Sequence, residues 1–497
     1  MNHYPALLII APLLASFLIV IAGWFGRRVH FPLAVGALAA SSASSILLLF
    51  QVVSTGPVRY ALGGWPPPIG IEYYVDQLSG ILLAVVSILA LLNLLGTKRM
   101  VDAAYQDKAG VFHAIYLLCV AGHLGIVVTG DAFNLYVLLE ISALSGYALL
   151  ALGSRRAPLS TLRYLFLGTV GASFYLLGVG FLYISTGSLN MINLSEILPA
   201  IYTSPPVLAA FGLIVAGTWV KMAFFPMHSW LPGAYYHAFS PASSLVAPLT
   251  TKVMIYVMIR MMLTVFTPEF SFQVPGIENL MVWLAVAAIV AGAFLALAQK
   301  DLKRMLTYVI IAEVGYMVGG AWLGNRLGMT GAMLHIVNDA VMTFCVFLAA
   351  GGIASRLTTL RYDSLTGLFR KMPLTMTALV IGGLSMIGVP PTCGFFSKWY
   401  LILGGLEAGH YGFVAALVLS SLINIVLFFR IFEHSYFDLS PKEEGNGHGH
   451  QPAAVLREEN WETVAVLMIT AAAVIALGLF TGSIVPILQS VIPATLV

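Results

Sequence analysis

Residues 217–232 read GTWVKMAFFPMHSWLP, and residues 388–399 read GVPPTCGFFSKW. Each sets a lysine, Lys221 or Lys398, beside prolines (Pro226 in the first, Pro390 and Pro391 in the second) in a segment otherwise apolar enough for lipid. A charge at membrane depth costs roughly 2.5–3.5 kcal/mol on insertion scales. Such a lysine persists only where it is paired, hydrated or moving charge. Proline removes a backbone donor and kinks the helix, and the freed carbonyls need water, an ion or a neighbour. Both stretches are therefore expected to be membrane helices broken around a basic residue.

The rest of the chain fits that solvent. Its 497 residues are 59% hydrophobic and only 9% charged, a balance outside the range of soluble globular proteins. With about 20 apolar residues needed per crossing, we count about 14 transmembrane helices. The segments are too long and too continuously apolar for barrel strands, so the expected class is an all-α integral membrane protein. The first apolar stretch, from residue 5, reads as a span rather than a cleaved signal. Lys and Arg fall almost entirely in alternate loops. The exceptions are Arg59, Arg260 and Arg326, besides the lysines within spans. The positive-inside rule then predicts a multi-pass protein of the inner (plasma) membrane with both termini on the non-cytoplasmic side.

The broken helices organise the domains. They are the fourth members of two five-helix blocks, spans 4–8 (109–265) and spans 9–13 (277–433). Because five is odd, the second block enters the membrane upside down, giving two inverted repeats. Residues 1–108 form a three-helix N-terminal segment, 434–460 a polar cytoplasmic connector, and 461–497 a C-terminal helix. Interrupted helices at matching positions of two halves point to a transport site.

Buried charges gather in these blocks. Glu140 and Glu313 occupy the second span of each, Lys221 and Lys398 the broken spans, and Lys252 a span near the middle. Asp339 lies on the eleventh span, four residues after His335, a spacing that shares a helix face. From it we expect a His335–Asp339 pair bridging Lys252 towards Lys398. His228 and His237 are secondary candidates, since imidazole titrates near neutrality. A lysine desolvated among apolar side chains but answered by a carboxylate exchanges its proton readily. These residues suit a proton pathway. The structural alternatives are a Glu140–Lys221 staple between helices and a snorkelling Lys398. Asp76 and Asp131, at span ends, suit helix caps. Cys119, Cys345 and Cys393 are scattered without ligand spacing, so no metal and no other cofactor is expected. Nothing in the chain suggests a nucleic-acid partner.

Several runs resemble one family. GDAFNLYVLLEISALSGYALLA (130–151), KMAFFPMHSWLPGAYYHAFSPASSLVAPLTTKVMIYVMIR (221–260), QKDLKRMLTYVIIAEVGYM (299–317) and LSMIGVPPTCGFFSKW (384–399) are similar to segments of the antiporter-like membrane subunits. So is GGWPPPIGIEYYVDQLSGILL near the N-terminus. That family includes subunits of Mrp-type cation/proton antiporters, of respiratory complex I and of membrane-bound hydrogenases, and the D-type subunits of Mrp antiporters look nearest. The resemblance implies a hydrophilic axis through Glu140, Lys221, Lys252 and Lys398, with Glu313 where relatives often carry a polar group. One departure stands out: His335-Ile-Val-Asn338-Asp339-Ala-Val-Met-Thr343 puts Asp339 and Thr343 where Mrp-type relatives often have histidine and lysine.

The expected function is that of a proton-translocating subunit of a multisubunit monovalent cation (sodium)/proton antiporter. Other membrane subunits and the lipid bilayer are its partners, and sodium is handled elsewhere in the complex. The alternative is a proton-pumping membrane subunit of a complex I-like NADH:quinone oxidoreductase or a hydrogenase. In that reading any enzymatic redox chemistry belongs to other chains.

Overall fold

In hydrocarbon a backbone must satisfy its own polar groups, and helices do so within one segment. The computed structural model describes residues 3–25, 29–272, 274, 276–436 and 458–496. Most of the connector expected at 434–460 lies outside the described residues. The chain opens with α1 (Tyr4–Trp24), α2 (His30–Thr55), the antiparallel strands β1 (Val58–Ala61) and β2 (Glu72–Val75), and α3 (Gln77–Tyr105). Next come α4 (Ala109–Val128), α5 (Ala132–Ala151), α6 (Ala157–Thr186) and the short α7 (Met191–Ile197). The first interrupted pair, α8 (Pro205–Lys221) and α9 (Trp230–His237), leads into α10 (Ser240–Arg260).

A π-helical turn (Met261–Val265) and α11 (Thr267–Ser271) join the halves. The second half runs α12 (Ile277–Leu297), α13 (Leu302–Trp322), α14 (Arg326–Arg356) and the short α15 (Leu368–Lys371). Its interrupted pair is α16 (Pro373–Ile387) and α17 (Cys393–Glu407), followed by α18 (Tyr411–Tyr436). Finally, α19 (Trp461–Leu479) and the short α20 (Thr481–Gln489) complete the described chain.

Among the described residues, eleven stretches are long and apolar enough to cross a bilayer, one of them, Gln77–Val128, holding both α3 and α4. With those two separated and the interrupted pairs α8/α9 and α16/α17 added, the crossings number the fourteen expected. The protein is a multi-pass integral membrane protein. One short β-hairpin accompanies this all-α architecture. It pairs Val58 with Val75 through Ala61 with Glu72, between α2 and α3, and buries Glu72, Tyr73 and Val75 of the EYYV segment.

Packing repeats between the halves. Helix α4 lies on α5 as α12 lies on α13, and α6 holds α8 and α9 as α14 holds α16 and α17. The halves meet where α10 packs on α14. The apolar cores of α10, α13 and α14 are 94%, 94% and 100% buried. Those helices bear Lys252, Glu313, His335 and Asp339, so the charged positions are the ones shielded from lipid.

Each break is locally encoded. After Lys221 the backbone turns through Ala223 at φ +58°, and the indole Nε1 of Trp230 donates to the freed Val220 carbonyl at 3.0 Å. The face of that indole stacks on Tyr164. The second break begins at Gly388, which is left-handed with φ +93°. A Cβ there would lie 3.3 Å from Cδ of Lys398, so glycine serves both the turn and the close approach. Gly388→Ala is expected to cost about 1–3 kcal/mol, read as a lower thermal midpoint of the purified assembly.

Candidate functional site: a series of buried ion pairs

In the first half, α5 presents Glu140 to the end of α8. Lys221 Nζ donates to Glu140 Oε1 at 3.4 Å and lies 6.0 Å over the Tyr147 ring. As the last residue of α8, Lys221 sits at the negative end of a half-helix dipole, where a cation is favoured. The two partners differ in cover: the Lys221 side chain is 4% exposed and that of Glu140 25%.

At the centre, Lys252 on α10 meets Asp339 on α14, Nζ to Oδ2 at 2.8 Å, with both side chains wholly buried. Thr343, one turn along α14, donates its hydroxyl to Asp339 Oδ1 at 2.6 Å. The two departures from the family pattern thus act together: Asp339 answers the Lys252 charge, and Thr343 holds the second carboxylate oxygen. The expected His335–Asp339 pair does not form. Both residues are drawn off α14 by stronger partners on other helices, and shared spacing along one helix decides nothing against a full opposite charge across a gap.

His335 instead joins α13 to α17. Its Nε2 is 2.5 Å from Glu313 Oε2 and its Nδ1 is 2.8 Å from the Ser397 hydroxyl, all buried. The Tyr316 ring lies edge-on to the His335 ring at 5.5 Å, and Lys398 Nζ sits 4.9 Å over its face. Lys398 reaches back across the break and donates to the Met386 carbonyl at 2.6 Å and to Ser421 Oγ at 3.4 Å. Asn424 donates to the same carbonyl at 3.1 Å. So Lys398 caps the carboxyl end of α16, as Lys221 terminates α8. Capping free helix carbonyls with a cation is favourable in any solvent, and more so where water is scarce.

His228 and His237 belong elsewhere. Both line a cavity of about 1280 Å³ at the face bearing Arg155, Arg156 and Arg304. His228 stacks on Phe225, and His237 Nδ1 lies 3.3 Å from Ser154 Oγ. Pro226 lies in the α8/α9 break near this cavity, while Pro390 and Pro391 form the α16/α17 break. Asp76 and Asp131 are helix caps, accepting from Ser79 N and Asn134 N respectively. Among the described residues, no group of three or more His, Cys, Asp or Glu side chains could hold a metal.

Reading the sequence missed Tyr316, Ser397, Ser421 and Asn424. Uncharged polar residues are common in membrane helices and carry no alarm by themselves. The available signal was position: Tyr316 follows Glu313 by three residues, and Ser397 adjoins Lys398.

The arrangement offers carboxylate, amine and imidazole groups from break to break, paired at Glu140–Lys221, Lys252–Asp339 and Glu313–His335, with Lys398 held by neutral groups. The sequence between residues 129 and 424 matches the profile of the NADH:quinone oxidoreductase/Mrp antiporter transmembrane proteins. The chain belongs to this family. NADH:quinone oxidoreductase/Mrp antiporter relatives cover it almost end to end. A NADH-quinone oxidoreductase subunit N from Desulforudis audaxviator is 42% identical over 99% of both chains. The D subunit of a Na(+)/H(+) antiporter from Bacillus subtilis is 30% identical over 88% of this chain and 87% of its own. Among solved structures, a chain of an archaeal membrane-bound sulfane sulfur reductase superposes with a TM-score of 0.88 at 29% identity, covering 99% of this chain and 98% of that one.

Proposed function

We propose that this chain is the proton-translocating subunit of a multisubunit monovalent cation (sodium)/proton antiporter. The observation that carries the reading is the series Glu140–Lys221, Lys252–Asp339 and Glu313–His335, ending at Lys398 beside the second break. Burying this many ionisable groups costs stability that apolar side chains would not, and the Bacillus subtilis relative bears an antiporter name. A proton taken up at one break changes the charge of the first pair. Coupled sites then titrate together, so a proton moved at one pair shifts the preference of the next. The Arg-rich face is the cytoplasmic one, which leaves both termini outside, and the membrane is the inner (plasma) membrane.

Glu140 supports a multisubunit setting. Its partly exposed carboxylate shares an outer face of α5 with the exposed Phe133, Val137 and Leu144. A carboxylate opening onto lipid is costly, so another membrane subunit covers this face.

Lys221→Ala is the direct test. In inverted vesicles holding the whole complex, sodium-dependent proton movement is expected to fall to background while the subunit still co-purifies with its partners. Unchanged transport would leave Lys221 a staple and defeat the reading. A second reading, a complex I-like proton pump driven by redox partners, is favoured by the 42% identity to the Desulforudis audaxviator oxidoreductase chain. Identifying every chain that co-purifies separates the two: small antiporter subunits support the first, and NADH-oxidising or nickel–iron subunits the second.

A further inference from the structure

Proton transfer across a membrane needs an opening on each face, and the ion pairs described above supply none opposite the Arg-rich side. Helix α10 does. Lys252, Tyr256 and Arg260 follow one another at intervals of four, so they share a face and climb about 6 Å per step. They are 0%, 2% and 6% exposed. Above them lies a separate cavity of about 180 Å³, bordered by Asp76, Arg260, Tyr74, Thr264 and the C-terminal residues Ser490 and Val491.

The contacts around Tyr256 are saturated. Its hydroxyl donates to the Val127 carbonyl at 2.9 Å and accepts from Arg260 Nε at 3.2 Å and Nη2 at 3.0 Å. A hydroxyl has one proton to give and two lone pairs with which to accept, and here all are taken. Arg260 is held in place by Asp76, Nη1 to Oδ2 at 2.6 Å and Nη2 to Oδ1 at 2.9 Å. Asp76 also caps α3 through Ser79. Burial raises its pKa, but the Arg260 charge and the hydrogen bonds from Arg260 and Ser79 outweigh this and hold the carboxyl below its usual range. Tyr74, stacked under Arg260, and the neighbouring Glu72 and Arg59 complete the charged and titratable surroundings. Directly after Arg260 the helix widens into a π-turn, within which Arg260 Nη1 donates to Thr264 Oγ1 at 3.3 Å. Such turns occur preferentially at functional sites.

The geometry points to an outlet from the Lys252–Asp339 pair to the face opposite the Arg-rich one, with Tyr256 as the relay and the Asp76–Arg260 pair as its latch. This rests on the proton-transport reading above. With the latch closed, Arg260 occupies the lone pairs of Tyr256, and the phenol accepts nothing. When Arg260 swings off, the phenol oxygen is free to accept the proton given up by the Lys252 ammonium, which faces the Ala247 carbonyl on the turn below, so water carries it across the gap. The phenol's own proton passes directly to water in the cavity beside the opened latch. Lys252 is left as the neutral amine, Tyr256 is regenerated, and no electrons are exchanged. A purely structural pair would equally staple α3 to α10, but it would not need to fill the acceptor positions of a tyrosine above a buried lysine.

The experiment uses the complete complex in proteoliposomes. Tyr256→Phe keeps the ring and removes the relay, so coupled proton transport is expected to drop at least about tenfold while the complex assembles normally. Asp76→Asn loosens the latch, so passive proton conductance is expected to rise roughly tenfold, and adding Tyr256→Phe is expected to remove that leak. A Tyr256→Phe complex transporting at the unmodified rate overturns the proposal. So does an assembled Asp76→Asn complex with unaltered conductance. If Asp76→Asn fails to assemble, Tyr256→Phe decides alone. Lys221→Ala run in parallel separates the two inferences: its transport lost with Tyr256→Phe intact defeats the outlet only, and both intact defeats the parent reading.

Discussion

Replacing Lys252 by methionine is expected to abolish proton translocation and to destabilise the subunit by about 3–5 kcal/mol. The cause is the partner it leaves behind. Asp339 is wholly buried and 2.8 Å from Lys252 Nζ, with the Thr343 hydroxyl as its further ligand, so removing the ammonium strands a carboxylate in a dry interior. Asp339→Asn strands the lysine in the same way and is expected to stop transport too. The double replacement Lys252→Met with Asp339→Leu removes both charges together. Replacing a buried pair by apolar groups of similar size is often neutral or stabilising, so the double variant is expected to recover the thermal midpoint of the complex but not its transport. Transport that survives in the double variant would show that the central pair is structural. Recovery of stability without transport separates the two roles of the same residues.

Much of this architecture was legible because hydrocarbon is an unforgiving solvent. Lys221, Lys252, Lys398, Glu140 and Glu313 stand out wherever their neighbours are apolar, and the Pro226 and Pro390–Pro391 interruptions mark the breaks without any structure. The helix caps at Asp76 and Asp131 followed from position alone. What the chain concealed was lateral choice. Spacing of four along α14 put His335 and Asp339 on one face, yet it is silent on which neighbouring helix supplies each partner. Glu313 on α13 claims the first and Lys252 on α10 the second. The β-hairpin was hidden for a different reason: strands of four residues give too short an alternation to compete with the helical signal on either side. Tyr316 was concealed because an aromatic ring in a membrane helix is ordinary, and only its contacts with His335 and Lys398 give it meaning.

Lys398→Arg is expected to leave assembly nearly unchanged and to eliminate transport, which makes it the sharpest test of whether Lys398 gives up its proton. The lysine does two things. It closes the carboxyl end of α16 by donating to the Met386 carbonyl at 2.6 Å, and its ammonium lies over the Tyr316 ring, which also contacts the His335 ring. The first role needs a cation with a hydrogen to donate, and arginine supplies both. The second needs a group that can become neutral, and a guanidinium does not deprotonate in proteins. Lys398→Met, by contrast, loses both roles: the Met386 carbonyl keeps Asn424 as a donor, but a charge-assisted cap worth roughly 1.5–3 kcal/mol disappears. The comparison is therefore internal. Assembly and thermal midpoint should rank the arginine variant near the unmodified complex and the methionine variant well below it, while transport should be absent from both. An arginine variant that still moves protons would remove Lys398 from the pathway and reduce it to the cap of a broken helix, with His335, Glu313 and Ser397 left as the last exchangeable groups before the second break.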